Sequence, residues 1–160
     1  MFNIRLIQKT DNKMTAHLIR TVMTEYGACG AGFSIQDPEV DAMFENYHRA
    51  GHFYFVIEQD KKIVGGAGIG PLVGSTDTKI CELKKMYFFP ELRGKGLGSK
   101  LLALLLQKAK ESGYDKCYLE TLNSMNEAQV LYQKFDFKKL SKPMGNTGHF
   151  GCDAWYLRAL

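Results

Sequence analysis

The spacing of apolar positions changes along the chain, and those changes mark its elements. Phe2, Ile4 and Leu6 alternate with Asn3 and Arg5, a two-residue period that predicts a strand ended by the polar cluster Gln8 to Lys13. Met14, Leu18, Val22 and Met23 then share one face at helical spacing, with Asp11 as the expected N-cap and Tyr26-Gly27 as the stop. Gly27 to Gly32 reads as a loose segment. Asp37-Pro38-Glu39 predicts a cap with proline at the first helical position, opening a second helix through Val40, Met43, Phe44 and Tyr47 to Gly51.

Strand patterning returns at Phe53 to Glu58 and Ile63 to Ile69, separated by the turn Gln59-Asp60-Lys61-Lys62, which predicts an antiparallel hairpin. After a loop around Pro71 to Thr78, Lys79 to Phe89 reads as a strand that Pro90 ends, because proline cannot donate to a ladder. Leu97 to Lys110 is a strongly apolar helix with Gly113 as its C-cap, so the strand Lys116 to Thr121 must run parallel to the one before the helix. Ser124-Met125-Asn126-Glu127 reads as a capping box for a helix to about Lys134. A short strand at Phe137 to Leu140, a loop over 141–151 and a last strand at Cys152 to Leu157 complete the chain. The order β-α-α-β-β-β-α-β-α-β-β predicts a mixed α/β sheet with helices on both faces.

Composition narrows the class. A chain of 160 residues, 45% hydrophobic, suits one domain over residues 1–160 with a single core. The net charge of +4 is too small and scattered for a nucleic-acid surface. Cys29, Cys81, Cys117 and Cys152 form no C-x-x-C pair, which argues against a zinc or redox motif and for reduced thiols; no metal is expected. The opening Met1-Phe2-Asn3-Ile4-Arg5 lacks the pattern of a signal peptide and no apolar run reaches membrane-spanning length, so a cytoplasmic protein without a membrane partner is expected.

Candidate chemistry begins at Arg93-Gly94-Lys95-Gly96-Leu97-Gly98, between a strand and a helix. Glycines let a backbone approach an anion, the first helical N–H groups have no partner, and Arg93, Lys95 and Lys100 add charge to the helix dipole. This is where the chain should hold phosphate. The spacing is not that of a kinase P-loop, since Lys100 follows Ser99 instead of preceding it. A dinucleotide site stays open at this level: Gly94, Gly96 and Gly98 open a helix, and Glu120 stands at the end of the next strand, although G-x-G-x-G departs from G-x-G-x-x-G.

Two motifs carry a resemblance to the GNAT superfamily of acyl-CoA-dependent N-acyltransferases. Arg93-x-x-Gly96-x-Gly98, after a strand ending Met86-Tyr87-Phe88-Phe89-Pro90, is similar to that family's pyrophosphate signature; Asn126-x-Ala128-x-x-Leu131-Tyr132-x-Lys134-Phe135-x-Phe137 resembles its C-terminal motif. Asp136 stands where the family usually has glycine, at a position that wants a left-handed conformation, which Asp tolerates with slight strain. The resemblance implies a mostly antiparallel twisted sheet of about seven strands with about four helices. It also implies acetyl-CoA as cofactor, with the pyrophosphate on the backbone of Arg93, Gly94, Lys95, Gly96, Leu97, Gly98 and Ser99, and the pantetheine along Met86, Tyr87 and Phe88.

Under this resemblance Tyr132 matches the general acid for the leaving thiolate and Glu82 a base for the attacking amine, acting through water, with Glu120 as its rival. Asn126 matches a pantetheine ligand, though it could equally cap its helix. Phe33, Asp37 and Asp41, with the 141–151 loop carrying His149 and Cys152 next to it, are expected on the acceptor side. The implied reaction is acetyl transfer to a primary amine of a small molecule or amino acid; a homodimer is compatible with it. A dinucleotide-dependent oxidoreductase and a non-catalytic acyl-CoA sensor are the competing readings.

Overall fold

The computed structural model describes residues 1–160. Its strands are β1 (Phe2–Leu6), β2 (Phe53–Gln59), β3 (Lys62–Pro71), β4 (Ile80–Phe88), β5 (Lys116–Thr121), β6 (Lys138–Leu140) and β7 (Ala154–Ala159). Its helices are α1 (Asn12–Glu25), α2 (Met43–Tyr47), α3 (Leu97–Glu111) and α4 (Asn126–Lys134). One sheet runs β1-β2-β3-β4-β5-β7-β6, and only the β4–β5 pair is parallel. The mixed, mostly antiparallel sheet with four helices expected from the sequence is the fold observed. The β2–β3 hairpin turns on Asp60 and Lys61, both at positive φ, the backbone that a two-residue turn needs to match strand twist.

Apolar side chains from the two faces form separate clusters. Leu101, Leu102 and Leu105 of α3 pack on Ile57, Ile69 and Leu83, while Leu18, Ile19 and Val22 of α1 pack on Tyr54, Val56 and Ile63 from the opposite side. The two-residue alternation of strands decides which face each residue joins. In β4 that alternation is interrupted. Lys84 pairs with Gly68 and Tyr87 with Gly66, so three steps on β4 face two on β3, and Lys85 at φ 51° forms a bulge. Before it Leu83 joins the α3 cluster; after it Met86 and Phe88 do, leaving Tyr87 on the α1 side. Gly66 and Gly68 make room for the bulge's support, because a Cβ at either would strike the Tyr54 ring, whose hydroxyl donates to the Lys85 carbonyl at 2.9 Å.

Three local expectations are corrected. Asp11 does not cap α1: its carboxylate is buried, accepting from Arg5 and from the Gln8 N–H at 2.7 Å, so it closes the short 3-10 turn that precedes the helix. The second helix does not run unbroken from Asp37 to Gly51. Pro38–Asp41 is a 3-10 turn, Ala42 leaves helical geometry, and α2 starts afresh with Asn12 of α1 accepting from the Phe44 N–H. Glu39 is drawn inward to Lys85, and a side chain from another helix supplies the cap, neither of which local spacing encodes. The box at Ser124 is not formed either; α4 begins after Met125 with no side-chain cap.

The end of α4 follows the expectation for Asp136. It sits at φ 63°, the Phe137 N–H bonds the Tyr132 carbonyl, and the Asp136 N–H bonds that of Gln133, the paired closure of a Schellman motif. The Phe137 ring then packs edge-on against Tyr132, with centroids 5.9 Å apart. Replacing Asp136 with Ala should cost about 1 kcal/mol, whereas Asp136→Gly should match or exceed the parent stability, in urea unfolding.

Candidate active site

β4 and β5 pair over only Ile80–Glu82 and Lys116–Tyr118. Past that point β4 bonds only β3 and β5 bonds only β7, so a wedge opens in the sheet with Glu82 at its vertex. A groove of about 520 Å³ enters from the α3 side, between the end of β4, the start of α3 and α4. A smaller cavity of about 60 Å³ lies toward α1. Met86, Tyr87, Met125 and Tyr132 line both, so the two spaces meet across these residues.

The large groove contains an anion cradle. The amides of Gly94 through Ser99 donate to no acceptor within the chain; Lys100 is the first whose N–H is taken, by the Gly96 carbonyl. Gly94 and Gly96 hold φ of +74° and +72°, and an added Cβ at either would meet nothing, so backbone conformation is the reason for glycine there. Gly98 serves a different purpose: its Cβ would lie 3.3 Å from Leu131, so it permits the close approach of α3 and α4. Six free amides at a helix N-terminus fit a phosphate-bearing ligand.

The cations beside the cradle are placed differently from the expectation. Arg93 lines the groove, but its guanidinium donates to both Glu25 oxygens, at 2.5 and 2.7 Å, and to the Phe88 carbonyl at 3.0 Å. It therefore ties α1, the end of β4 and the cradle together, and Glu25 already offsets its charge. Lys95 is exposed and turns over the Phe2 ring, away from the groove, while the Leu97 side chain is buried in the core. Asn126 and Ser99 line the groove as expected. The Phe89 N–H bonds Val64 in β3, so alternation turns the backbone of Phe88 and Met86 toward the wedge, while the ring of Tyr87 forms part of its wall.

In the small cavity the sequence-predicted residues meet. Phe33, Glu82, Glu120, Tyr132, His149 and Cys152 all line it. Asp41 does not; it is a surface residue paired with Arg20 at 2.8 Å. His149 Nε2 lies 3.0 Å from both Asp37 oxygens and Nδ1 lies 3.7 Å from Glu120. Burial lowers the affinity of the ring for its proton, but the two carboxylates outweigh it and raise the pKa to about 9, so His149 is a cation at neutral pH. Glu120 accepts from Tyr118 and Thr147, each at 2.7 Å. Burial alone would raise it, but its bonds from His149, Tyr118 and Thr147 hold it below the usual carboxylate range.

Glu82 differs from Glu120 in having no hydrogen-bond or ion-pair partner, though it is almost fully buried. Desolvation raises it to about 7, with nearby Glu120 adding to the rise and Lys84, His149 and Lys85 opposing it. Tyr132 is likewise buried, its ring held by Phe137 and Tyr156, and its hydroxyl makes no bond within the chain. Burial pushes its pKa well above the ordinary value of about 10. Cys152 is raised to about 12 by burial and the surrounding carboxylates, so it is a thiol there, not a nucleophilic thiolate.

Sequence reasoning missed Lys85 and Glu39. The Lys85 ammonium is buried, bonded to Asp37 at 2.8 Å and to Glu39. Burial would lower its pKa, but the two carboxylates keep it raised. Without the bulge the alternation of β4 would aim this side chain at the α3 core, and nothing in the one-letter pattern marks a positive φ at a lysine.

The fold agrees with that of the chain's relatives. Residues 18–137 match the acetyltransferase (GNAT) family model. The chain is 42% identical to the N-acetyltransferase YjgM of Escherichia coli, over 98% of this chain and 94% of that protein. A GNAT-family acetyltransferase structure from Staphylococcus aureus superposes with a TM-score of 0.84 at 22% identity, covering 99% of each chain. The yncA structure from Salmonella typhimurium, which carries its cofactor acetyl-CoA, superposes at 0.78 with 20% identity over 99% of this chain and 94% of that one. The fold, the cradle and these likenesses define an acyltransferase. The chain belongs to the GNAT family of N-acetyltransferases, which sets aside the oxidoreductase reading. No helix is long and apolar enough to cross a membrane.

Replacing Lys85 with Met should remove the cation that Asp37 and Glu39 share, leaving Asp37 with only His149 as counter-charge and Glu39 with only the more distant Lys84 at 3.8 Å. The expected loss is about 2–4 kcal/mol in urea unfolding, reduced because both carboxylates keep some contact with water.

Proposed function

We propose that residues 1–160 act as one catalytic unit that transfers the acetyl group of acetyl-CoA to the amine of a small molecule, with Tyr132 as general acid and Glu82 as a water-mediated general base. The observation that carries this reading is the small cavity, which the unpartnered buried carboxylate of Glu82 lines together with Tyr132, whose unpartnered phenol also borders the large groove. The amides of Gly94 to Ser99 suit the pyrophosphate, and the wedge-facing backbone of Met86 and Phe88, with Asn126 opposite, suits the pantetheine. Bound there, acetyl-CoA supplies an activated thioester. The parallel with the acetyl-CoA-bearing yncA structure supports the same cofactor here.

The groups of the chain divide the proton traffic by environment. Tyr132 keeps its proton throughout the neutral range and can deliver it to a thiolate, a better-matched acceptor than water. Glu82, raised to about 7, is basic enough at pH 7–8 to draw a proton through water from an amine whose own pKa is about 10.4. Glu120 is a weaker candidate because its oxygens are bonded and its basicity is lowered. His149, protonated, cannot accept a proton; it holds Asp37 and Glu120 in place.

Tyr132→Phe should lower kcat by about 100-fold or more, measured as thiol release over pH 6–10 with a panel of amines; unchanged turnover would remove the acid assignment. Glu82→Gln should lower kcat/KM by about tenfold or more at pH 8 and abolish the rise in rate through pH 7. The same variant has a stability signature. Because the folded-state pKa is raised from 4.5 to about 7, the folded protein holds this proton until about pH 7, whereas the unfolded chain releases it near 4.5. The wild type therefore loses stability as pH rises between those values, by up to about 3 kcal/mol. Glu82→Gln should raise Tm at pH 8 and leave it nearly unaltered at pH 5.

A further inference from the structure

Five charged side chains line the small cavity, Glu82, Lys84, Lys85, Glu120 and His149, and Asp37 and Glu39 bond to them from behind; five of these seven satisfy one another. Asp37 bonds both Lys85 and His149; Glu39 bonds Lys85 and the Tyr47 hydroxyl; Glu120 faces His149 and accepts from Tyr118 and Thr147. Two are left over. Glu82 has no partner. The Lys84 ammonium makes no hydrogen bond; its nearest carboxylate oxygen, on Glu39 at 3.8 Å, is already engaged by Lys85 and Tyr47. Lys84 is mostly buried, with 14% of its side chain exposed and its ammonium 5.9 Å from the centroid of the Tyr47 ring.

Both leftover groups line the cavity. They lie two residues apart on one face of β4, a Cα separation of about 7 Å, and their charged ends form no ion pair with each other. A buried carboxylate with no partner, and an ammonium whose one carboxylate neighbour is shared and 3.8 Å away, leave a gap that a molecule with both charges would bridge. Lys85 and His149 are each bonded to a carboxylate within 3.0 Å, so Lys84, with only the shared Glu39 oxygen at 3.8 Å, is the cation most open to a negative group. The cavity of about 60 Å³ has room for the charged head of a small acceptor, not for a second bulky group.

We propose that the acceptor is an α-amino acid bound as its zwitterion, with its amine toward Glu82 and its carboxylate held by Lys84. This rests on reading the cavity as the acceptor site of the acetyl transfer described above, and it adds Lys84 as the residue that selects the carboxylate. A free amine, an amino acid ester or a polyamine leaves the Lys84 ammonium with only the shared Glu39 oxygen at 3.8 Å, which penalises each of them relative to the acid.

The test is a thiol-release assay with acetyl-CoA on matched triplets, each an α-amino acid, its methyl ester and its decarboxylated amine, using small apolar side chains. The acid should be preferred in kcat/KM by about 10- to 100-fold, the range for a charge-assisted hydrogen bond. Lys84→Met should erase that preference, with most of the loss for the acid in KM rather than kcat, and Lys84→Arg should restore part of it. Esters or decarboxylated amines turned over as well as the acid by the wild type would overturn the zwitterion proposal while leaving acetyl transfer to amines in place. A KM for the acid unaltered in a folded Lys84→Met variant would also overturn it. No thiol release with any member of the triplets, despite binding of acetyl-CoA in a thermal-shift assay, would overturn both readings.

Discussion

The parting of β4 from β5 after three residue pairs is the constraint on which the rest of this molecule depends. Two adjacent parallel strands that separate must leave backbone groups without a ladder partner, and such groups are costly unless something else meets them. The bulge at Lys85 bends β4 away and adds twist, and the Arg93 fork takes the Phe88 carbonyl on the exposed side. The separation is thus built in and braced. It opens a groove on the α3 face whose free amides suit a phosphate-bearing ligand, and a smaller cavity on the α1 face.

The same bulge sorts the charges. By shifting the alternation of β4 it puts Lys85 and Tyr87 on the side of Glu82 and Lys84, while Met86 and Phe88 turn to the groove. The Lys85 ion pairs then pull the Asp37–Glu39 segment inward, which breaks the expected second helix, and Asp37 in turn anchors His149 from the C-terminal loop. A close pairing of Gly32 with Gly151, each with an aromatic ring from the other segment over it, holds the two loops together. Buried ion pairs of this kind contribute little net stability compared with apolar packing, so their value lies in fixing which groups face the cavity.

Tyr132 shows how a local stop signal reaches the site. Asp136 supplies the left-handed turn, the Schellman bonds return to Tyr132, and Phe137 presses the phenol ring into the wedge. The substitution of Asp for a more permissive glycine is tolerated because the turn needs only one such residue and its side chain points to solvent. The contrast between Glu82 and Glu120 follows the same logic of surroundings. Two carboxylates from neighbouring strands differ in proton affinity because one is bonded on every side and the other is only desolvated.

Period, turn residues and glycine spacing determined the strands, the order of elements and the phosphate cradle by themselves, because each depends on interactions within a few residues along the chain. The hairpin at Asp60-Lys61, the stop at Gly113 and the left-handed Asp136 are legible for that reason. What only the tertiary structure decided are features whose partners are remote in sequence: Asp11 turned to Arg5, Asn12 capping α2, Arg93 occupied by Glu25, and Asp41 left on the surface with Arg20. The conversion of Lys85 into the hub of the charge cluster at the small cavity belongs with these. A positive φ at a lysine carries no local signature, and the strands that impose it are assembled only when the sheet closes around the wedge.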